Sequence, residues 1–366
     1  MNEASRTLQA EVDFPSARKK SAPFLAFTDV DEYALPSDIA YDKIIKLIFE
    51  NEQYESGSVF SFKNSSQFPN SAVGSSDSLG SLANVGQTVE SAAVNFQNGS
   101  PFLQLKISGE LSSALLDNCD SITANGTWAA GSDGASLRLD TQRYKKEAGA
   151  LAFDSGGALT TITLTNSTLT AVDLTDYENM SKVLVWVHFP STVPSSVALK
   201  WGSDSSNYWS KSVTTQQNGL TFIPGWTLIG FDWETATKTL TPAVSAIDYL
   251  QLTITNSSAV AQTGYRVNEI ICRLGKEVAM EYYSKYLLTT TAGVAQEEFS
   301  ATSDITLLKE KEVDLLITKA AQIAMEELRE SRDAQVKEVQ SKEQIAKIKQ
   351  SYPSEAQKKT FTYYNL

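Results

Sequence analysis

The sequence predicts an α+β multidomain chain. A helical core is formed by the N- and C-terminal segments, and an antiparallel β-sandwich of jelly-roll type is inserted between them. Three observations carry this prediction. The middle of the chain is a succession of short period-2 segments separated by turn residues. Both ends carry apolar stripes at helical spacing. Neither end has enough apolar surface to close a core alone, so each needs the other.

Residues 1–110 supply the first part of the core. In "YALPSDIAYDKIIKLIFENEQY" Ser37 or Asp38 can cap a helix, and Ile44, Ile45, Leu47 and Ile48 form its apolar stripe. The Ser/Gly-rich stretch "NSSQFPNSAVGSSDSLGSLANVGQ" reads as a long loop or flexible arm. "FLQLKIS", Phe102 to Ser108, alternates as a half-buried strand.

Residues 111–274 read as the inserted sandwich. "TTITLT" puts Ile162 and Leu164 on one face and threonines on the other. "KVLVWVHF" is apolar on both faces, as a central strand would be. "TLIGFDW" sends Ile229, Phe231 and Trp233 to one side, and "YLQLTIT" sends Leu250, Leu252 and Ile254 inward. "RVNEIICRL" closes the set.

Residues 275–366 return to the core. "VAMEYYSKYLL" reads as extended. From about Leu308 to Lys349 the period becomes helical, with Val313, Leu316, Ile317, Ala320, Ala324 and Leu328 on one face. One helix of that length would span roughly 60 Å, so a break is expected near Ser331. Pairs such as Glu338–Lys342 add about 0.2–0.5 kcal/mol each. Tyr352-Pro353 stops the helix.

Composition excludes several function classes. The 366 residues carry a net charge of −12, which argues against nucleic-acid binding through a basic patch. DNA could still slide past such an acidic wall. No run of about 18 apolar residues is present, so no membrane span is expected. The start, "MNEASRTLQAEVDF", lacks the apolar stretch of a signal peptide, which predicts a soluble chain made in a cytoplasm. Cys119 and Cys272 are expected to be free buried thiols. Placed near the two ends of the insert, they should lie closer in space than in sequence.

No catalytic set is legible. The one histidine, His188, sits inside "VWVHFP" and reads as a packed, hydrogen-bonded residue. A zinc site is not expected from one His and two separated Cys. No P-loop or dinucleotide fingerprint appears. Asp204, Asp232 and Glu234 are the carboxylates a glycoside hydrolase would draw on. Asp133, Asp140, Asp154 and Asp173 lie near strand ends and turns. No cofactor is expected, and a structural Ca²⁺ on such oxygens is the alternative left open. In "LKWGSDSSNYW", Trp201 follows Val197 and Leu199 at period two and should be core; Trp209 and Trp226 read as embedded in apolar strands. Tyr208 or Trp209 stacking on a sugar is the alternative. The triplets at Asn125, Asn166 and Asn256 read as chance.

The two ends, "YALPSDIAYDKIIKLIF" and "MEYYSKYLL … SDITLLKEKEVDLLITKAAQIAMEELRES … YPSEAQKK", resemble tailed-bacteriophage head-to-tail connector proteins, also called adaptor or neck proteins. The middle, above all "WGSDSSNYW", is similar to jelly-roll modules inserted into phage virion proteins, which are themselves similar to carbohydrate-binding sandwiches. This resemblance implies a non-enzymatic virion protein at the neck, assembled in a bacterial host's cytoplasm. It implies a homo-oligomeric ring, commonly twelve-fold, with portal and tail or neck proteins as partners and DNA passing through without specific binding. In this picture the sandwich projects outward, and Tyr352, Phe361, Tyr363 and Tyr364 dock on the portal or a neighbouring subunit. Two other roles stay open: a carbohydrate- or receptor-binding tail or decoration protein, and a jelly-roll glycoside hydrolase.

Overall fold

The computed structural model describes residues 2–11, 14–28, 30–51, 54–59, 88–108, 112–146, 148–301, 303–328 and 331–351. Strand dominates. The N-terminal part holds α1 (Asn2–Glu11), β1 (Arg18–Lys20), β2 (Phe24–Ala26), β3 (Glu32–Tyr33), β4 (Ile39–Asn51), β5 (Tyr54–Val59), β6 (Thr88–Gln97) and β7 (Ser100–Ser108). The middle holds β8 (Ser113–Asp117), β9 (Trp128–Ser132), β10 (Gly134–Asp140), β11 (Ala150–Ser155), β12 (Thr161–Asn166), β13 (Ser181–Phe189), β14 (Ser196–Gly202) and β15 (Tyr208–Val213). It continues with β16 (Gly225–Asp232), β17 (Thr237–Thr239), β18 (Tyr249–Thr255) and β19 (Gln262–Leu274). Last come β20 (Lys276–Ser284), β21 (Leu288–Thr289), β22 (Ala295–Gln296), β23 (Ile305–Thr306), α2 (Glu310–Glu327) and α3 (Ser331–Ser351).

The chain divides into two compact units. One comprises Met1–Pro23, Pro36–Ile48 and Ala279–Leu366; the other comprises Phe24–Leu35 and Phe49–Val278. In the first, α1 buries Ala4 and Leu8 in one cluster with Leu287, Leu315, Leu316 and Ile348. The two ends of the chain thus share a core, but not through the predicted early helix. The Ile44–Ile48 stretch is the strand β4, which lies beside β20. Its run of β-branched and aromatic residues favours an extended backbone, and Leu47 is fully buried while Ile44 and Ile48 are half-buried. Asp38, read as a helix cap, instead accepts hydrogen bonds from Lys19 Nζ (2.7 Å), Tyr282 Oη (2.7 Å) and Ser284 Oγ (2.8 Å). The predicted helical core is therefore corrected: the chain is mostly β, with several antiparallel sheets, and its helices α1, α2 and α3 lie towards its two ends.

In the second unit two six-stranded antiparallel sheets form a jelly-roll sandwich. One runs β10-β11-β19-β13-β16, with β8 also pairing β19; the other runs β17-β15-β14-β18-β12-β9. Alternation decides what lies between them. Val183, Val185, Val187 and Phe189 of β13 point inward, as do Leu199, Trp201, Leu252 and Ile254 of the other sheet. Burying a side chain of this size contributes about 1.5–3 kcal/mol. Cys119 and Cys272 are free, buried and in this same core, on neighbouring segments because β8 pairs β19. A three-stranded sheet, β3-β7-β6, completes the unit. The loop or arm read near residues 64–87 lies outside the described residues.

Candidate ligand-binding face

Since Val183, Val185 and Val187 fill the core, their neighbours Trp186 and His188 point to the outside of the β13 sheet. On β16, Ile229 and Phe231 are core, so Trp226 and Leu228 also point outward. The register sets His188 opposite Trp226 and Trp186 opposite Leu228. Trp186 and Trp226 are therefore diagonal neighbours, about 7–8 Å apart by strand geometry. Both indoles are half-buried. Farther along β13, outward-facing Leu184 is buried, which confines the accessible part to the Trp186–His188 end.

Strand β19 lies on the other side of β13 and carries two extra residues. Gly264 (φ +91°) interrupts its register with β11, and Glu269 (φ +47°) interrupts its register with β13. Gly264 needs its lack of a side chain: a Cβ would be left-handed and 3.3 Å from an Arg266 nitrogen. Between these bulges, Arg266 pairs with His188 and Asn268 with Trp186, both on the outward side. One row thus reads Arg266–His188–Trp226, and the next reads Asn268–Trp186–Leu228.

Hydrogen bonds fix this row. Arg266 Nε donates to Asp140 Oδ2 at 2.7 Å, and its Nη1 donates to the Gly264 carbonyl at 2.7 Å. His188 Nδ1 lies 3.2 Å from the same carbonyl, which assigns the proton to Nδ1 and leaves Nε2 as an acceptor. The 3.4 Å approach of Arg266 Nη1 to Nδ1 is then a contact between two donors. Partial burial pushes the imidazole below its usual pKa, and the charges of Arg266 and Arg143 push it the same way. The His188 ring meets Trp226 edge-on, with centroids 5.4 Å apart.

Asn268, fully buried, anchors the segment after β10. Its Oδ1 accepts from the backbone N–H of Lys145 (3.1 Å) and Lys146 (2.6 Å). Its Nδ2 donates to the carbonyls of Asn118 (3.1 Å) and Gly149 (2.8 Å). Held this way, the Lys145 ammonium sits 4.5 Å from the Trp186 ring centroid.

Three carboxylates on this sheet, Asp140, Asp154 and Asp232, are paired with cations. Desolvation draws the Asp140 carboxyl up, but Arg266 and the N–H groups of Gln142 and Arg143 outweigh it and hold it low. Asp154 behaves likewise: Arg138 and the Gly264 N–H outweigh its desolvation. Asp232 pairs with Lys182 at 3.1 Å.

Of the residues singled out from sequence, His188, Trp226, Asp140, Asp154 and Asp232 lie on this sheet, and the others lie elsewhere. Trp209 is only 3% exposed and lies in the core, edge-on to Trp233 at 5.1 Å. Tyr208 is half-buried on the outside of the opposite sheet, under Lys200 Nζ at 4.5 Å. Asp204 lies in the β14–β15 turn and holds the N–H groups of Ser206 and Asn207. Asp232 ends β16 of the β13 sheet itself, and exposed Glu234 follows it. Asp133 holds the N–H groups of Gly157 and Ala158, and Asp173 that of Thr175. Among the described residues no group of three or more His, Cys, Asp or Glu is placed to hold a metal ion. Tyr352, Phe361, Tyr363 and Tyr364 lie outside the described residues.

Trp186, Trp226, Arg266 and Asn268 were not legible as a site. Trp226, read as embedded, has the opposite parity to Ile229 and Phe231. That parity was the available signal.

No protein-family profile matches the sequence, and no curated protein matches it. Similar solved structures include the glycoside hydrolase domain of Endo-D from Streptococcus pneumoniae R6, at 13% identity and TM-score 0.27, covering 40% of this chain and 21% of that one. They also include the family 30 carbohydrate-binding module of a Clostridium thermocellum cellulosomal cellulase, at 10% identity and TM-score 0.31, covering 46% of this chain and 97% of that one. Another is a carbohydrate-binding module of the β-sandwich superfamily, at 13% identity and TM-score 0.30, covering 69% and 97%. At such scores the likenesses leave function to be read from the site itself.

Proposed function

We propose that this chain is a non-catalytic carbohydrate-binding protein. Its ligand lies across the outer face of the β13 sheet, on Trp186 and Trp226, with His188 and Arg266 supplying hydrogen bonds. The observation that carries this reading is the diagonal tryptophan pair on the solvent side of a rigid sheet, with polar groups locked beside it. A half-buried indole offers a flat apolar surface at low entropic cost. A few fixed polar groups then orient a hydroxyl-rich ligand.

Hydrolysis is disfavoured by the same geometry. A glycosidic general acid needs a raised carboxyl pKa, whereas Asp140 and Asp154 are held low by their guanidinium partners. The helical core on which ring assembly was expected is corrected to a mostly β architecture.

The test is retention on a panel of immobilised polysaccharides. The wild-type chain should be retained by at least one. Trp186→Ala and Trp226→Ala should each weaken that retention about tenfold, near 1.4 kcal/mol, without a change in far-UV circular dichroism. Reducing-sugar release from the bound polysaccharide should stay at background. Retention untouched by both substitutions would remove the reading.

A further inference from the structure

We propose that the polysaccharide recognised by this face is anionic, its carboxylate or sulfate groups meeting a cationic rim formed by Arg143, Lys145 and Lys146. The inference rests on the carbohydrate reading and specifies its ligand class.

The chain as a whole carries a charge of −12, yet this face does not share that sign. Three of its other cations are each matched by a carboxylate: Arg138 with Asp154 at 2.9 Å, Arg266 with Asp140 at 2.7 Å, and Lys182 with Asp232 at 3.1 Å. Among the described residues no carboxylate lies within ion-pair distance of Arg143, Lys145 or Lys146; Glu147 lies outside them. Among the described residues their positive charge is therefore unmatched.

The rim is also built. Asp140 Oδ1 accepts the N–H groups of Gln142 (2.9 Å) and Arg143 (3.1 Å), and Asn268 holds those of Lys145 and Lys146 from beneath. Its basic side chains thus project from a fixed backbone, with exposed Tyr144 among them. Lys145 stands directly on the Trp186 platform, and His188 senses the charge of Arg143. A ligand lying on Trp226 would meet this field at once, and its extension over Trp186 would displace the Lys145 ammonium from the ring.

Aromatic and basic groups together also suit single-stranded nucleic acid. The carboxylates of Asp140 and Asp154 on the same sheet favour the glycan. Sugar hydroxyls can donate hydrogen bonds to them, whereas a DNA phosphodiester backbone carries no such donor.

Biolayer interferometry on the full chain decides between these. The probes are polygalacturonate, methyl-esterified pectin, dextran sulfate, uncharged dextran and oligo-dT. The wild-type chain should bind polygalacturonate or dextran sulfate at least about tenfold tighter than its uncharged counterpart, and whichever of the two wins identifies the anion. Raising salt from about 50 to about 300 mM should weaken that binding. The variant R143Q/K145Q/K146Q should erase the preference while keeping retention that depends on Trp226. Equal binding of charged and uncharged polymers, lost in Trp226→Ala, would overturn the anionic preference and leave the carbohydrate reading intact. Binding to none of the polysaccharides would overturn both, as would tighter binding to oligo-dT.

Discussion

The two outward sides of the sandwich obey the same alternation but differ in chemistry. On the β18 sheet the outward rows read Thr161–Thr255–Ser196, Thr163–Thr253–Ala198 and Thr165–Gln251–Lys200. Five of these nine residues are threonines and one is a serine; threonine favours strand, and its hydroxyl hydrates well. On the β13 sheet the outward rows hold Trp186, Trp226, His188 and Arg266, and a loop is tied down over one end. One core supports both sides, so packing does not account for the difference. A tryptophan pair left half-buried beside an ordered guanidinium is what a surface needs to hold a ligand, and the threonine rows are what a soluble sheet needs to stay in water.

The largest effect should come from breaking what both sides share. Trp201→Ala empties the core beneath Trp233 and should cost about 3–5 kcal/mol, read as a lower midpoint in urea. Both outward sides should fail together. Asn268→Ala acts on one side only. It orphans the backbone groups this side chain holds and should cost about 1–3 kcal/mol. Amide exchange should rise at Lys145 and Lys146 but not along β18; equal protection in both would deny Asn268 its anchoring role.

A pH scan sharpens the contrast further. The folded pKa of His188 is depressed below its ordinary value, so the unfolded chain binds the proton more readily. Its contribution should be intact above about pH 6.5. It should fall as pH drops through that value and level off below the folded pKa. Melting temperatures of wild type and His188→Gln should therefore converge on acidification from pH 8 to 5; parallel curves would mean that the imidazole is unperturbed. The smallest effect is expected from Thr163→Ala and Thr253→Ala on the opposite side. Each should shift stability by no more than about 0.5 kcal/mol and leave polysaccharide retention unchanged.

Legibility in the sequence followed the same division. Period-2 segments such as "TTITLT" and "YLQLTIT" are the strands β12 and β18 because one face is apolar and the other hydroxylic. "KVLVWVHF" hid its two faces: Trp186 on the outer side and valines on the inner one are both apolar in a one-dimensional reading. The Ile44–Ile48 stripe satisfied helical spacing and strand propensity at once, and pairing with β20 decided it. The short helix α1 went unread because its polar surface masks Ala4 and Leu8. Arg266 and Asn268 become a site only through bulges that shift the register of β19, and register is a property of partners rather than of one strand.

Asn268 grips only main-chain atoms of the segment it anchors. The tips at 143–146 can therefore be exchanged for other side chains while the backbone that carries them stays put. Diversification of ligand preference would concentrate there, above a fixed asparagine, much as interchangeable heads fit a single handle.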